Sequence, residues 1–286
     1  MMRIDRFFSV TLFLFLRRVF PLSRTRVPIL MYHGVSDETD ETRNAYFRVT
    51  TSPKMFEQQM RLLAENGYYG CRLDAIADSD NNTLKKTVLT FDDGFADFYH
   101  EAWPILEKYG FSASVFLPTG FIEDHERSLI KGKQHLSWDQ IRELHAKGIE
   151  FGSHSITHTI LRNCPRDEIK REIVESKAVI EKRLRAPVRS FSYPYAFPFD
   201  DSSLVMFLDE CVRSAGYEFA VSTRIGVDDL RKNGLFRPRL PVNDLDDSKL
   251  FLAKIRGAYD WVNAFQYGYR LMKMAALRIR RKGMAL

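Results

Sequence analysis

Eight short apolar runs alternate along this chain with segments of helical periodicity, and that alternation limits the fold more than any other feature. The runs cover residues 27–34, 68–73, 87–91, 112–117, 149–152, 188–193, 219–222 and 236–242. Strands that take turns with helices are joined by crossovers and therefore run parallel. Seven or eight such units in a single chain predict an α/β fold, an irregular (β/α) barrel of about seven strands. In barrels of that kind the reactive side chains gather at the C-terminal ends of the strands.

The intervening helices carry their own punctuation. A helix is predicted over 53–66, with Met55, Met60, Leu62 and Leu63 as its apolar positions. Another covers 137–147, where Ser137 and Gln140 make a capping box and Gly148 supplies the stop. The clearest covers 165–184. Ile169, Ile173, Ile180 and Leu184 recur at helical intervals, and Asp167–Arg171 and Glu181–Arg185 are i,i+4 pairs.

Charge divides the 286 residues into three parts. Residues 1–26 carry six arginines and one aspartate, and residues 254–286 carry eight basic residues and one aspartate; the middle is acidic although the total is +6. Nucleic-acid binding places its basic surface on the folded body, so nucleic acid is not the expected partner. We divide the chain into a basic, apolar segment 1–26, a catalytic barrel 27–250 and a basic amphipathic helix 251–286. The apolar run 7–16 is flanked by Arg3, Arg6, Arg17 and Arg18. It falls short of the ~20 residues that span a bilayer, and no small-residue cleavage site follows it. An interfacial helix is expected, with a helix packed on the barrel as the alternative. From Tyr259 onward, Trp261, Phe265 and Leu271 mix with Arg270, Lys273 and Arg278 in the same manner. Both ends suit peripheral association with an anionic membrane. Cys71, Cys164 and Cys211 form no disulfide framework, which favours the cytoplasmic side of the inner membrane, with an uncleaved anchor facing the periplasm as the alternative.

The chemistry is concentrated at strand ends. Thr90-Phe91-Asp92-Asp93-Gly94 closes a buried strand with two adjacent carboxylates. Ionised groups are costly there unless a metal or a reacting proton accounts for them. Ser153-His154-Ser155-Ile156-Thr157-His158 follows another strand and sets two imidazoles four residues apart. One carboxylate with two histidines, leaving positions open for water and substrate, is the donor set of a hydrolytic metal site. His33 and Tyr195 fall at strand ends as well.

Taken together, the TFDDG run at 90–94, the HSITH run at 154–158 and the Phe191-Ser192-Tyr193-Pro194-Tyr195 turn resemble the polysaccharide deacetylases of carbohydrate esterase family 4. The resemblance covers residues 27–245. Met31-Tyr32-His33-Gly34-Val35 is similar to the MYHxV motif of the permuted branch, which includes deacetylases of poly-N-acetylglucosamine. It implies that Asp93, His154 and His158 hold one divalent ion, zinc with cobalt or nickel as alternatives. It further implies that Asp92 is the general base, that His33 is the acid for the leaving amine, and that the backbone N–H of Tyr195 faces the oxyanion. Pro194, Tyr195 and Arg239 are expected at the substrate.

Two departures from the family pattern stand out. Ser192 occupies the position where many members carry an arginine that orients the base. There is also no histidine after His158, where most members place the acid. Arg189 is a candidate substitute for the arginine. Arg237 or Arg239 could reach Asp92 or make a surface ion pair. The expected activity is metal-dependent N-deacetylation of an N-acetylated sugar in a polysaccharide or lipid-linked glycan. The alternatives are an O-deacetylase or deformylase of envelope glycans, or an inactive glycan-binding relative.

Overall fold

A computed structural model describes residues 4–19, 25–38, 49–76, 85–123, 130, 132–232 and 234–268. Seven parallel strands close a barrel: β1 (Ile29–Tyr32), β3 (Lys85–Phe91), β4 (Ser114–Leu117), β5 (Glu150–Ser153), β6 (Ser190–Ser192), β7 (Phe219–Ile225) and β8 (Phe236–Pro241). Their order is β1-β8-β7-β6-β5-β4-β3, and β3 returns to β1 with Ile29 opposite Val88 and Tyr32 opposite Phe91. The eighth run, β2 (Tyr68–Cys71), pairs with the first half of β3. Every strand run read from the sequence is present, and the expected count of seven is that of the closed barrel. The reason is local: strands covered on both faces are rich in apolar residues, as β1 (Ile-Leu-Met-Tyr) and β4 (Ser-Val-Phe-Leu) are.

The helices α3 (Pro53–Glu65), α4 (Trp103–Lys108), α5 (Thr119–Glu123), α6 (Trp138–Ala146), α7 (Arg166–Leu184), α8 (Ser202–Ser214) and α9 (Ser248–Ile255) lie between or after the strands. The capping box is formed: Gln140 N–H donates to Ser137 Oγ at 3.2 Å, and Ser137 N–H to Gln140 Oε1 at 2.9 Å. α8 and α9 lie outside the three helical patterns picked out above. Each begins at an aspartate, Asp201 and Asp247, whose carboxylate accepts from a first-turn N–H. The core is continuous and aromatic beneath the barrel mouth, where Tyr32, Phe56, Phe91 and Phe98 contact one another at centroid separations of 4.8–5.7 Å.

At the N-terminus, α1 (Ile4–Phe8), a π turn (Ser9–Phe13) and α2 (Leu14–Val19) follow one another without a break. They pack beside α9 and the segment after it. The boundary expected at 250/251 falls inside α9, whose Phe251, Ala253 and Ile255 are core residues. The basic cluster expected at 270–286 lies outside the described residues. No helix among the described residues is long and apolar enough to cross a membrane.

Candidate active site

Three strand ends build the site. β3 ends at Phe91, and Asp92 keeps one further rung of the ladder by donating its N–H to Tyr32 O at 3.0 Å. The backbone then turns through two positive φ values, +71° at Asp93 and +59° at Gly94. Glycine is required at the second, since a Cβ there would stand 2.8 Å from the Leu117 side chain. That turn lets the adjacent carboxylates serve two neighbouring places at once. β5 continues likewise into His154, whose N–H donates to Leu117 O at 2.9 Å.

Asp93, His154 and His158 converge, all buried, with one ligand atom from each lying within 4.8 Å of the others. Asp93 Oδ1 is 3.1 Å from His158 Nε2 and 3.6 Å from His154 Nε2. His154 Nδ1 lies 2.7 Å from Ser192 O, and a carbonyl only accepts, so Nδ1 carries the proton and Nε2 presents its lone pair to the cluster. Burial, partly offset by Asp92 and Asp93, pushes the His154 imidazole down to about 4, which keeps it neutral. Two imidazoles with one carboxylate fit a divalent ion of the zinc type.

Asp92 takes no part in that cluster. Its Oδ1 accepts from Arg239 Nη1 at 2.8 Å and its Oδ2 from Arg239 Nη2 at 2.7 Å, while Ser192 Oγ donates to Oδ1 at 3.0 Å. Burial would raise the carboxyl, but Arg239, with His154 and His33, holds it well below the usual carboxylate range. His33, at the end of β1, brings Nε2 to 4.0 Å from Asp92 Oδ2.

The structure thus answers the missing-arginine question. Arg189 pairs with Glu218 at 2.6 Å on the outside, away from Asp92. Arg239 reaches it instead, from β8. This corrects the expectation that Arg239 contacts substrate: its side chain is fully buried and all five of its N–H groups are taken. Pro194 is also buried. Tyr195 is 48% exposed, and its ring lies 4.7 Å from that of His158. Five non-glycine residues have positive φ among the described residues, and four of them, Asp93, Ser155, His158 and Tyr195, belong to this site. Left-handed backbone costs roughly 1–2 kcal/mol per residue, so the surrounding structure must hold each of these turns in place.

One contributor escaped the sequence reading. Glu172, on α7 and fully buried, accepts from Ile156 N at 2.8 Å, Thr157 N at 2.9 Å and Thr157 Oγ1 at 2.9 Å. It clamps the strained loop between the two histidines. The signal was available, because an acid stands among Ile169, Ile173, Ser176 and Ile180 on the helix's buried stripe.

A parallel barrel thus presents a two-histidine, one-carboxylate cluster placed to hold a metal ion, with a separate buried carboxylate beside it. The family model for polysaccharide deacetylase matches residues 79–219. The chain is 29% identical over 205 residues to YxkH of Bacillus subtilis, named for the polysaccharide deacetylases, and 30% identical over 139 residues to the poly-beta-1,6-N-acetyl-D-glucosamine N-deacetylase of Escherichia coli K12. These matches cover 70% and 44% of this chain, and 66% and 20% of the relatives, so the chain spans less than two thirds of either. Among solved structures, the Streptococcus pyogenes deacetylase PplD in complex with acetate superposes with a TM-score of 0.69 at 26% identity, over 82% of this chain and 99% of that one. The chain thus carries a polysaccharide deacetylase domain of carbohydrate esterase family 4.

Proposed function

We propose that the protein is a metal-dependent N-deacetylase that hydrolyses the acetamido group of an N-acetylated sugar, in a polysaccharide or lipid-linked glycan of the poly-N-acetylglucosamine type named for its relatives. The observation that carries this reading is the division of labour between adjacent carboxylates. Asp93 faces the two histidines, whereas Asp92 is set apart, ionised by Arg239 and flanked by His33.

Asp93, His154 and His158 would hold the ion, zinc or alternatively cobalt or nickel, which supplies Lewis-acid polarisation of the amide carbonyl and a water acidified to a pKa of about 7. Asp92 accepts the proton of the attacking water, and Arg239 keeps it ionised and oriented for that task. The Tyr195 N–H, held by its left-handed turn, donates to the oxygen that gains charge. His33 gives a proton to the sugar nitrogen as the carbon–nitrogen bond breaks, so acetate and a free amine leave. The reading includes a peripheral position on the cytoplasmic side of the inner membrane.

The test is metal content and acetate release together. Purified protein should hold about one divalent ion per chain and His158→Ala should lose it. Reconstituted wild type should release acetate, not formate, from N-acetylglucosamine oligomers and leave free amines. A chain that takes up no ion on reconstitution, or releases no acetate from any acetylated glycan, refutes the proposal.

A further inference from the structure

The N-terminal helical run is assembled inside out. Its inward side uses polar or aromatic anchors: Tyr259 OH donates to Asp5 Oδ2 at 2.9 Å, Trp261 Nε1 donates to Ser9 Oγ at 3.0 Å, and Phe13 stacks on Trp261 at 5.5 Å. Asp5 and Ser9 are buried. Its outward side presents Phe7, Leu12, Phe15 and Val19 to solvent, with Phe15 at 61% exposure. A helix on a water-facing barrel has the reverse arrangement. Phe265, 69% exposed, and Tyr267 carry the apolar surface beyond the helix. Contiguous patches of this kind mark contact with another apolar phase.

This patch is joined to the barrel mouth. Gln266 Oε1 accepts from Ile225 N at 3.2 Å, and its Nε2 donates to Thr223 O at 3.1 Å. Thr223 Oγ1 in turn donates to Tyr195 O at 3.0 Å, and Phe199, from the loop after Tyr195, stacks on Tyr267 at 5.8 Å. The exposed apolar surface and the loop that lines the site are therefore two side chains apart.

We infer that residues 4–19, with Phe265 and Tyr267, dock the protein on an anionic bilayer and so set the catalytic mouth at the membrane surface, where it takes a lipid-anchored glycan. The charge of the flanking sequence selects the occupant. Arg3, Arg17 and Arg18 border the apolar run, and the chain after residue 268 carries six further basic residues in eighteen. A second copy docked through the same face would bring its own equally basic flanking sequence against this one, like charge against like. Anionic headgroups around an apolar acyl layer match both features. The glycan part of the inference rests on the deacetylase reading above, whereas the docking part does not.

The full-length protein would be sedimented with vesicles of phosphatidylcholine containing phosphatidylglycerol, and with vesicles of phosphatidylcholine alone. Binding should need the anionic lipid, weaken as salt rises, and fall at least about tenfold in Phe7→Glu/Phe15→Glu. That variant should keep its circular dichroism spectrum and its rate on a soluble acetylated oligosaccharide, yet lose deacetylation of a vesicle-borne lipid-linked one. No vesicle binding by wild type overturns the inference. So does unimpaired binding by the variant, which would assign docking to residues 269–286, or a wild-type dimer in light scattering that the variant dissociates. Should no substrate of either kind be deacetylated while vesicle binding behaves as stated, the deacetylase reading fails and the docking face stands.

Discussion

Replacing Arg239 by methionine isolates the device that keeps Asp92 ionised for its proposed role as base. The guanidinium has five N–H groups and each has an acceptor: Ser222 O at 3.0 Å, Thr90 Oγ1 at 3.2 Å, Ser192 Oγ at 3.1 Å and the two oxygens of Asp92. Methionine fills much of the volume but leaves a carboxylate, itself 3% exposed, without its counter-charge. Breaking a buried pair from one side costs about 3–5 kcal/mol, because the remaining charge stays desolvated. Asp92→Asn strands the arginine in the same way. The double variant strands neither charge, so it should be more stable than the sum of the single losses by about 2–3 kcal/mol. Urea unfolding of the metal-free proteins, followed by circular dichroism, measures all four corners of the cycle. The charge also fixes the pH dependence. Arg239 lowers the Asp92 pKa, so Arg239→Met should move the acid limb of kcat/KM to higher pH. Single losses below about 1 kcal/mol, or additivity within about 0.5 kcal/mol, would refute the coupling.

Glu172→Ala removes three acceptors from the loop between the metal-site histidines; zinc affinity measured by competition calorimetry should fall by about tenfold or more, and an unchanged affinity would leave Glu172 as packing only. His154 gives the metal-free protein a pH signature. Its folded pKa of about 4 lies below the unfolded value of 6.5, so stability present above pH 6.5 is lost as pH falls toward 4, by up to about 3 kcal/mol. Urea midpoints measured across that window should show the loss in wild type and a smaller one in His154→Gln. Tyr195→Gly relieves a φ of +58° and should raise stability by up to about 1 kcal/mol, read as a higher thermal midpoint. Gly94→Ala should lower it by about 1–3 kcal/mol, because the new methyl meets Leu117 in a left-handed turn.

The amino-acid sequence by itself determined the strand ends and what stands on them. Apolar runs of parallel-strand length are local features, and so are TFDDG and HSITH. The three-residue Asp93, His154 and His158 cluster and the carboxylate beside it could be picked out from them. What the chain could not disclose was which distant side chain completes each charge. Arg189 is three residues from Ser192 in sequence and points outward to Glu218, whereas Arg239 is 147 residues from Asp92 and lies 2.7 Å from it. Barrel closure makes that difference, because β8 is returned beside β1 and, through it, to β3. The same holds for Glu172, which reads as one more acid in a charged helix until packing turns it inward onto the histidine loop. It holds also for the N-terminal run, whose apolar residues were evident in the sequence. That they face outward was decided only when Asp5 and Ser9 found Tyr259 and Trp261, some 250 residues away. A buried charge must be satisfied where it stands, and only the tertiary fold brings the satisfying group there.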